Sequence, residues 1–173
     1  MLSSSRGIYR LAGEDGEHEA VAAGQLLYEA GSAASLPVAG DWVVYEGAGI
    51  GRIVRVLPRR SKVSRKAAGN RTEEQVLAAN VDTCFLMSGL DRDFNLRRIE
   101  RYVLMTRQSG AEPVIVLNKA DLAPDLAAVT LEVTEAAWGV PVIAISALEG
   151  DGLSDLMPYL RARSTVASLG SSG

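Results

Sequence analysis

Cysteine and histidine are almost absent from this chain, which has one of each among its 173 residues. A single cysteine excludes an intramolecular disulfide framework and is typical of proteins in the reducing cytosol. One cysteine and one histidine, Cys84 and His18, also cannot complete the usual four-ligand zinc site. Because Cys84 lies in an apolar run with Phe85, Leu86 and Met87, we expect a buried structural thiol there and no metal site in the chain.

Long hydrophobic runs are missing as well. No apolar stretch approaches the roughly 18 residues that a membrane-spanning helix needs, and the first residues lack the basic-then-apolar order of a secretory signal. A hydrophobic content of 47% with 23% charged residues is typical of soluble globular proteins. We therefore expect a cytoplasmic, monomeric protein without a membrane partner.

The formal net charge of −3 conceals an uneven distribution of charge. Residues 52–71 contain eight basic and no acidic side chains, whereas the rest of the chain contains 10 basic and 21 acidic ones. Such a segment indicates contact with a polyanion, and its lack of aromatic residues favours phosphate contacts over base stacking. A solvated linker is the alternative. We assign RNA binding to five of its residues, Arg59, Arg60, Lys62, Arg65 and Lys66.

Residues 1–64 have the pattern of a small all-β domain. Apolar or alternating stretches at 7–11, 18–28, 41–46 and 50–57 are separated by glycine-containing turns, and no helical period precedes residue 72. Short strands of this kind are typical of a small barrel, and the five-stranded OB fold is one candidate. Only four strands are evident, so the first is expected to be short or missing. Trp42 is expected in the core rather than on the surface as a stacking platform.

Residues 65–80 are expected to form a linker followed by a short helix. Thr72 and Gln75 have the three-residue spacing of a capping box, and Glu73 and Glu74 would favour the positive end of a helix.

From residue 81 onwards, apolar strands alternate with helical patterns. Asn95 is a candidate N-cap and Gly110 a candidate C-cap for the first helix. Four strands separated by three helices imply right-handed crossovers and a largely parallel α/β sheet. The strands are predicted at 81–88, 114–117, 140–145 and 165–169, and the helices at 95–108, 124–138 and 152–163.

The second of these strands leads directly into Asn118-Lys119-Ala120-Asp121, at the kind of strand end where open α/β sheets bind ligands. The Asp121 carboxylate can accept hydrogen bonds from the N1–H and the 2-amino group of guanine, a pair of donors that adenine lacks. Asn118 can brace the neighbouring loop and approach N7 or O6, while the Lys119 stem lies along the face of the base. A plain strand-to-helix turn capped by Asp121 is the alternative.

A second polar loop, Ser146-Ala147, follows the next strand. A small residue there lets the Ala147 N–H reach guanine O6, a place where adenine has an amino group. Ser146 can hold this loop by bonding to the first motif. The two loops together predict a guanine site made of Asn118, Lys119, Asp121, Ser146 and Ala147.

The last four residues follow the fourth strand, as the first glycine of a G-x-x-x-x-G-K-[ST] phosphate-binding loop would. A flexible Gly-Ser tail is the alternative. We expect a phosphate cradle to begin, without being completed, at Gly170, Ser171, Ser172 and Gly173.

The chain resembles the RsgA (YjeQ) family, the circularly permuted GTPases that assist maturation of the small ribosomal subunit. Ordinary Ras-like GTPases have the P-loop first and the guanine motifs last, whereas this family has the order found here. The resemblance covers essentially the whole chain. Its motifs include Gly40-Asp41-Trp42-Val43, Pro58-Arg59-Arg60-Ser61, Gln75-Val76-Leu77-Ala78-Ala79-Asn80, Phe94-Asn95-Leu96-Arg97-Arg98, Asn118–Asp121 and Ser146-Ala147.

The resemblance implies an OB-fold RNA-binding domain at 1–64, a linker and short helix at 65–80, and the first part of a permuted α/β P-loop GTPase domain at 81–173. It implies GTP or GDP with Mg²⁺ as ligands, and Zn²⁺ in a later domain that this sequence does not contain. The implied function is GTP hydrolysis during late maturation of the 30S ribosomal subunit, with the OB domain and basic linker bound to 16S rRNA.

The sequence stops before the P-loop lysine, the switch segments and the Mg²⁺-binding aspartate of the family. We therefore expect this piece to retain guanine recognition while containing no catalytic residue and hydrolysing no GTP at a useful rate. Two other functions remain open. One is a non-catalytic RNA-binding adaptor with a vestigial nucleotide fold, and the other is a permuted GTPase with a membrane or metabolic client, against which the basic segment argues.

Overall fold

The computed structural model describes residues 1–66 and 74–170 of the chain. The chain divides into two compact units, residues 1–80 and 81–173. Within the described ranges, no helix has the length and apolar character needed to cross a lipid bilayer.

The first unit contains a mixed sheet whose described strands lie in the order β1-β2-β3-β5-β4. Neighbouring strands are antiparallel except β3 and β5, which run parallel. Helix α1 (Gly24–Glu29) and a 3-10 turn at Ala33–Ser35 connect β3 to β4. The strands are β1 (Ser3–Ser5), β2 (Ile8–Gly13), β3 (Gly16–Ala22), β4 (Val43–Glu46) and β5 (Gly51–Val56).

Alternation along the strands buries one face of this sheet. In β2, Tyr9 and Leu11 are buried while the residues between and beside them are exposed, as expected for a strand with one solvated face. Ala20 of β3 and Ile53 of β5 complete the same apolar cluster. The core of the first unit therefore lies on one side of the sheet.

The first unit differs from the sequence prediction at residues 24–29 and at Trp42. Residues 24–29 are helical, although no helix was expected before residue 72. The sequence did not reveal this helix because only Leu26 of the short segment packs against the core, so no apolar period is visible. Trp42, expected in the core, is 68% exposed. Its neighbours Asp41 and Val43 take the inward positions, so alternation turns the indole towards solvent.

Strands β6 (Lys62–Lys66) and β7 (Glu74–Ala79) pair as an antiparallel hairpin in the first unit. The short helix predicted within 65–80 is therefore wrong over Glu74–Ala79, while Thr72 and Glu73 lie outside the described residues. Pairing with β6 buries Val76, which outweighs the weak helical tendency of a six-residue segment.

A buried ion pair connects separate parts of the first unit. The carboxylate of Asp41 is fully buried and accepts hydrogen bonds of 2.8 Å from both Nε and Nη2 of Arg59. The guanidinium also donates to the carbonyl oxygens of Ala34 and Leu36, at 2.6 and 2.8 Å. The Val38 N–H donates to the same carboxylate at 2.8 Å. Arg59 thus holds the 34–41 segment against the chain that follows β5.

The second unit contains a parallel sheet, as the sequence predicted, with its described strands in the order β10-β9-β8-β11. Helices α2 (Leu96–Ser109) and α3 (Leu126–Ala136) and a 3-10 segment at Leu153–Tyr159 connect the strands. The strands are β8 (Thr83–Gly89), β9 (Glu112–Asn118), β10 (Val142–Ala144) and β11 (Val166–Gly170).

Both predicted caps of α2 are confirmed. The Asn95 side chain accepts a hydrogen bond from the Arg98 N–H at 3.0 Å, and Gly110 ends the helix in the left-handed conformation with φ 83°. Inside the helix, Ile99 and Val103 are buried, which is why their one-turn spacing predicted the helix correctly.

The segment predicted as a helix over 152–163 is a 3-10 helix limited to Leu153–Tyr159. Pro158 lies inside it and has no N–H to donate, so an α-helix cannot propagate through this position. Leu156 and Tyr159 nevertheless pack on the sheet, against a cluster of buried residues that includes Phe85 and Val114.

Gly152 shapes the chain between β10 and this 3-10 segment. Its φ of +72° belongs to the left-handed region, and a Cβ at this position would lie 2.3 Å from the carbonyl oxygen of Ala144. Gly150 also has a positive φ, +87°, but a Cβ there would meet open space. Both glycines have a backbone conformation that disfavours other residues, but only Gly152 also lacks space for a Cβ.

We expect Arg59→Met to lower the free energy of unfolding of the first unit by about 3–5 kcal/mol, because it leaves the Asp41 carboxylate buried without its cation. Native-state hydrogen exchange of the β2, β3 and β5 amides measures this loss. The matched control is Arg55→Met, on an exposed position of β5, which should change stability by no more than about 0.5 kcal/mol. Equal, small losses for both variants would contradict a structural role for Arg59.

We expect Gly152→Ala to destabilise the second unit more than Gly150→Ala. Both variants place a side chain at positive φ, which costs about 1–2 kcal/mol, but only the first also forces its Cβ into the Ala144 carbonyl. Urea denaturation of the two variants measures the difference. Equal destabilisation would show that the close approach at residue 152 relaxes without cost.

Candidate functional site

The two polar loops singled out in the sequence lie at the carboxyl ends of adjacent parallel strands. Leu117 of β9 is in register with Ala144 of β10. Beyond that pair, the Ile145 N–H donates to the Leu117 oxygen at 2.8 Å and the Ala120 N–H donates to the Ile145 oxygen at 3.0 Å. The pairing therefore continues past the end of β10 and brings loop 118–121 beside loop 146–150.

Side chains join these two loops directly. The Ser146 hydroxyl donates to Oδ1 of Asp121 at 2.5 Å, and the Ala147 N–H donates to Oδ1 of Asn118 at 3.0 Å. The sequence analysis expected Ser146 to bond to the first motif and Asn118 to brace the neighbouring loop, and the structure contains both contacts. Asp121 itself is exposed, so its carboxylate is oriented by Ser146 while it remains accessible.

Ser146 is the fixed point of its loop. Its side chain is almost fully buried, and its Oγ also accepts a hydrogen bond from the Glu149 N–H at 3.2 Å. Its backbone N–H donates to the Asp151 oxygen and its carbonyl accepts from the Gly150 N–H, at 3.0 and 2.8 Å. These hydrogen bonds within loop 146–151 hold Ser146 in place independently of its contact with Asp121.

Lys119 has a left-handed backbone, with φ 63° and ψ 40°. Its N–H donates to the Oδ1 atom of Asn118 at 2.8 Å, and its Nζ forms an ion pair with Oδ2 of Asp91. The hydrogen bond between the two side chains raises the pKa of Lys119 and lowers the pKa of Asp91. Both groups are therefore held in their charged forms.

Asp91 belongs to a third loop, between β8 and α2, that the sequence analysis did not include in the site. The Leu90 N–H donates to the Asn118 carbonyl oxygen at 2.8 Å, which ties this loop to the first motif. A signal was present in the sequence, because Asp91 is a polar residue just beyond a buried strand, like Asn118. The loop was missed because its letters form no recognised motif.

The site offers hydrogen-bonding groups and no evident nucleophile. Burial raises the pKa of the Cys84 thiol, which keeps it protonated. Among residues 1–66 and 74–170, no group of three or more His, Cys, Asp or Glu side chains is arranged to hold a metal. The described residues thus contain no cluster of this kind, and we assign no step to Mg²⁺ or Zn²⁺.

Gly170, the expected first residue of the phosphate cradle, is the last residue of β11 and is in register with Met87 of β8. A Cβ at position 170 would lie 3.2 Å from the Met87 oxygen, so the two strands approach closely there. Because β11 is parallel to β8 and β8 to β9, Gly170 lies at the same edge of the sheet as loops 118–121 and 146–150. Ser171, Ser172 and Gly173 lie outside the described residues.

The five basic residues predicted to bind RNA have different environments. Arg59 is only 15% exposed and makes the four hydrogen bonds described above, so its assignment to an RNA surface is corrected to a structural role. Lys62 pairs with Glu74 at 2.8 Å, both side chains being partly exposed, and Arg65 Nε donates to the Gln75 side chain at 3.0 Å. Arg60 follows Arg59, and Lys66 ends β6.

Comparison with known proteins identifies relatives of this chain. Residues 56–173 match the family model described as RsgA GTPase. The chain is 50% identical over 169 residues to the "Small ribosomal subunit biogenesis GTPase RsgA" of Opitutus terrae, covering 91% of this chain and 46% of that protein. The protein of the same name from Syntrophotalea carbinolica is 45% identical over 176 residues, covering 96% and 48% of the two chains. The chain thus spans about half the length of these relatives.

Two solved structures share the fold. The crystal structure of YjeQ from Thermotoga maritima superposes with a TM-score of 0.73 at 23% identity, covering 99% of this chain and 59% of that one. The structure of YloQ, described as a circularly permuted GTPase, gives a TM-score of 0.67 at 21% identity, covering 99% and 58%. With a family model matched over more than half of its residues, the chain belongs to the RsgA GTPase family.

Proposed function

We propose that this chain is the guanine-recognising part of a GTPase that acts in biogenesis of the small ribosomal subunit. The observation that carries the proposal is the pair of contacts from Ser146 to Asp121 and from Ala147 to Asn118, which assembles two loops around one small region. The names of the relatives, small ribosomal subunit biogenesis GTPases, support the cellular role.

Guanine fits these groups better than adenine does. Asp121 accepts hydrogen bonds from N1–H and the 2-amino group, each worth about 1.5–3 kcal/mol for a charged acceptor. The Ala147 N–H donates to Asn118 Oδ1 in the structure, so contact with guanine O6 requires this N–H to be shared with the base or to turn towards it. Adenine would meet the carboxylate without that donor pair and the N–H with an amino group, leaving buried polar atoms unpaired.

The phosphates of GTP or GDP would lie towards Gly170, at the same edge of the parallel sheet. The order of the motifs supports a circularly permuted GTPase, because the guanine loops precede the strand that ends at Gly170. Hydrolysis with Mg²⁺ is proposed for the GTPase as a whole, and no described residue of this chain is assigned a catalytic role.

We propose that the first unit is an OB-type barrel that contacts ribosomal RNA. The order β1-β2-β3-β5-β4, with β3 and β5 parallel and a helix between β3 and β4, supports a five-stranded Greek-key barrel. Closure between the edge strands is supported by the Gly40 N–H, which donates to the Met1 oxygen at 3.0 Å. The basic hairpin β6–β7 would hold the phosphate backbone by charge.

The proposed role has consequences for the cellular location and the oligomeric state of the protein. A role in 30S maturation implies the cytoplasm, where the subunit is assembled, and needs no membrane partner. We propose that the protein binds there as a monomer, one copy on one subunit.

Asp121→Asn should weaken binding of GDP to the chain at least tenfold, equivalent to about 1.4 kcal/mol, and should improve binding of xanthosine diphosphate. The Asn amide can donate to the 2-oxo group of xanthine, but its single oxygen cannot replace the two carboxylate oxygens that accept from N1–H and the 2-amino group of guanine. NMR titrations with the two nucleotides measure both affinities. Glu132→Gln, on an exposed position of α3, is the charge-matched control. An unchanged base preference in Asp121→Asn would remove this carboxylate from the site.

Reversing the charge of Arg65 and Lys66 to glutamate should weaken RNA binding and reduce the slope of log K against log salt by about two, because two phosphate contacts are lost. Arg59 is left intact in this variant because its loss would destabilise the first unit and confuse the effect on RNA binding. The control reverses Arg97 and Arg101, two exposed arginines of α2. Co-sedimentation with 30S subunits at graded salt measures the effect, and equal weakening by both variants would indicate non-specific attraction instead.

A further inference from the structure

We propose that Asp91 is a positioning residue of the base site, which anchors the Lys119 side chain so that its aliphatic stem forms a flat wall for the purine. The contact between Asp91 Oδ2 and Lys119 Nζ carries this inference. The inference rests on the proposed guanine site and adds the loop between β8 and α2 to it as a third element.

Lys119 needs such an anchor because its side chain is long and half exposed, with a relative exposure of 50%. The left-handed backbone of Lys119 sets the direction in which the stem leaves the chain. The ion pair with Asp91 fixes the other end of the stem. A flexible four-carbon chain held at both ends presents a defined surface. Binding of a base then costs less conformational entropy, because the lysine side chain is already ordered.

Asp91 is itself held in place. Its Oδ1 accepts a hydrogen bond from the Asp93 N–H at 3.1 Å, while Oδ2 takes the lysine. Gly89 makes room for it, since a Cβ at position 89 would lie 3.1 Å from Asp91 Oδ1. The loop is tied to the first motif through the Leu90 N–H and the Asn118 oxygen. Asp91 therefore approaches Lys119 from a fixed position.

The role differs from that of Asp121 in a way that binding can reveal. Asp121 contacts the edge of the base, where guanine and xanthine differ, whereas a wall formed by the Lys119 stem contacts the face, which all purines share. Loss of Asp91 should therefore weaken every purine nucleotide by the same factor and leave the preference among purines unchanged. Loss of Asp121 should change that preference.

The experiment is a double-mutant cycle on the whole chain, with GDP titrated by NMR into the native sequence, Asp91→Asn, Lys119→Met and the double variant. Methionine keeps an unbranched apolar stem but has no ammonium to anchor. We expect Asp91→Asn to weaken GDP about two- to five-fold, the range of an exposed ion pair, and to have no further effect in the Lys119→Met background. Asp93→Asn, which removes an acid paired with Arg98 instead, is the matched control.

Two further measurements make the outcome decisive. The penalty of Asp91→Asn should be the same factor for GDP and xanthosine diphosphate, and it should shrink as salt rises from about 0.05 to about 0.5 M, because salt screens an exposed pair. Additive effects in the cycle, or native affinity in Asp91→Asn, would overturn the role of Asp91 alone. A native chain that binds ADP as well as GDP would overturn the proposed guanine site itself.

Discussion

The in-register parallel pairing of β9 with β10 is the constraint on which the candidate site depends. Parallel strands deliver their carboxyl ends to one edge, and here the pairing extends beyond β10 through Ile145 to Ala120. A shift of one residue would turn Ser146 away from Asp121, because side chains alternate between the two faces of a strand. The buried residues Val114 to Leu117 anchor β9 inside the sheet, since both of its faces are covered.

Next to this pairing, the polar groups of loops 118–121 and 146–150 are held in place by hydrogen bonds to one another. Ser146 is held by its own loop and orients Asp121, while Asn118 receives N–H groups from both Lys119 and Ala147. In the proposed base site, such organisation would lower the entropy lost on binding, because the Asp121 carboxylate is already oriented by Ser146. The left-handed backbone of Lys119 is the local strain that this arrangement sustains.

The sequence predicted those parts of the fold that depend on local pattern. The buried strand before Asn118 and the helix between Asn95 and Gly110 follow from apolar runs, periodicity and caps, and the structure has both. It did not predict β7, whose conformation depends on pairing with β6, a strand earlier in the chain. The exposure of Trp42 was also missed, because an apolar residue in a short strand can face either side until the register is known.

The charge of a residue was the sequence feature that predicted its role least well, as Arg59 and Asp91 illustrate. Arg59 counts as one of eight cations in a basic segment, yet its guanidinium is consumed by a buried carboxylate and two carbonyls. Asp91 is one of 21 acidic residues in the chain, yet it forms an ion pair with Lys119, 28 residues later. The role of a charged side chain depends on the groups that contact it, and these are determined by the fold. A basic segment therefore predicts that a polyanion is bound, while only the contacts decide which of its cations can bind it.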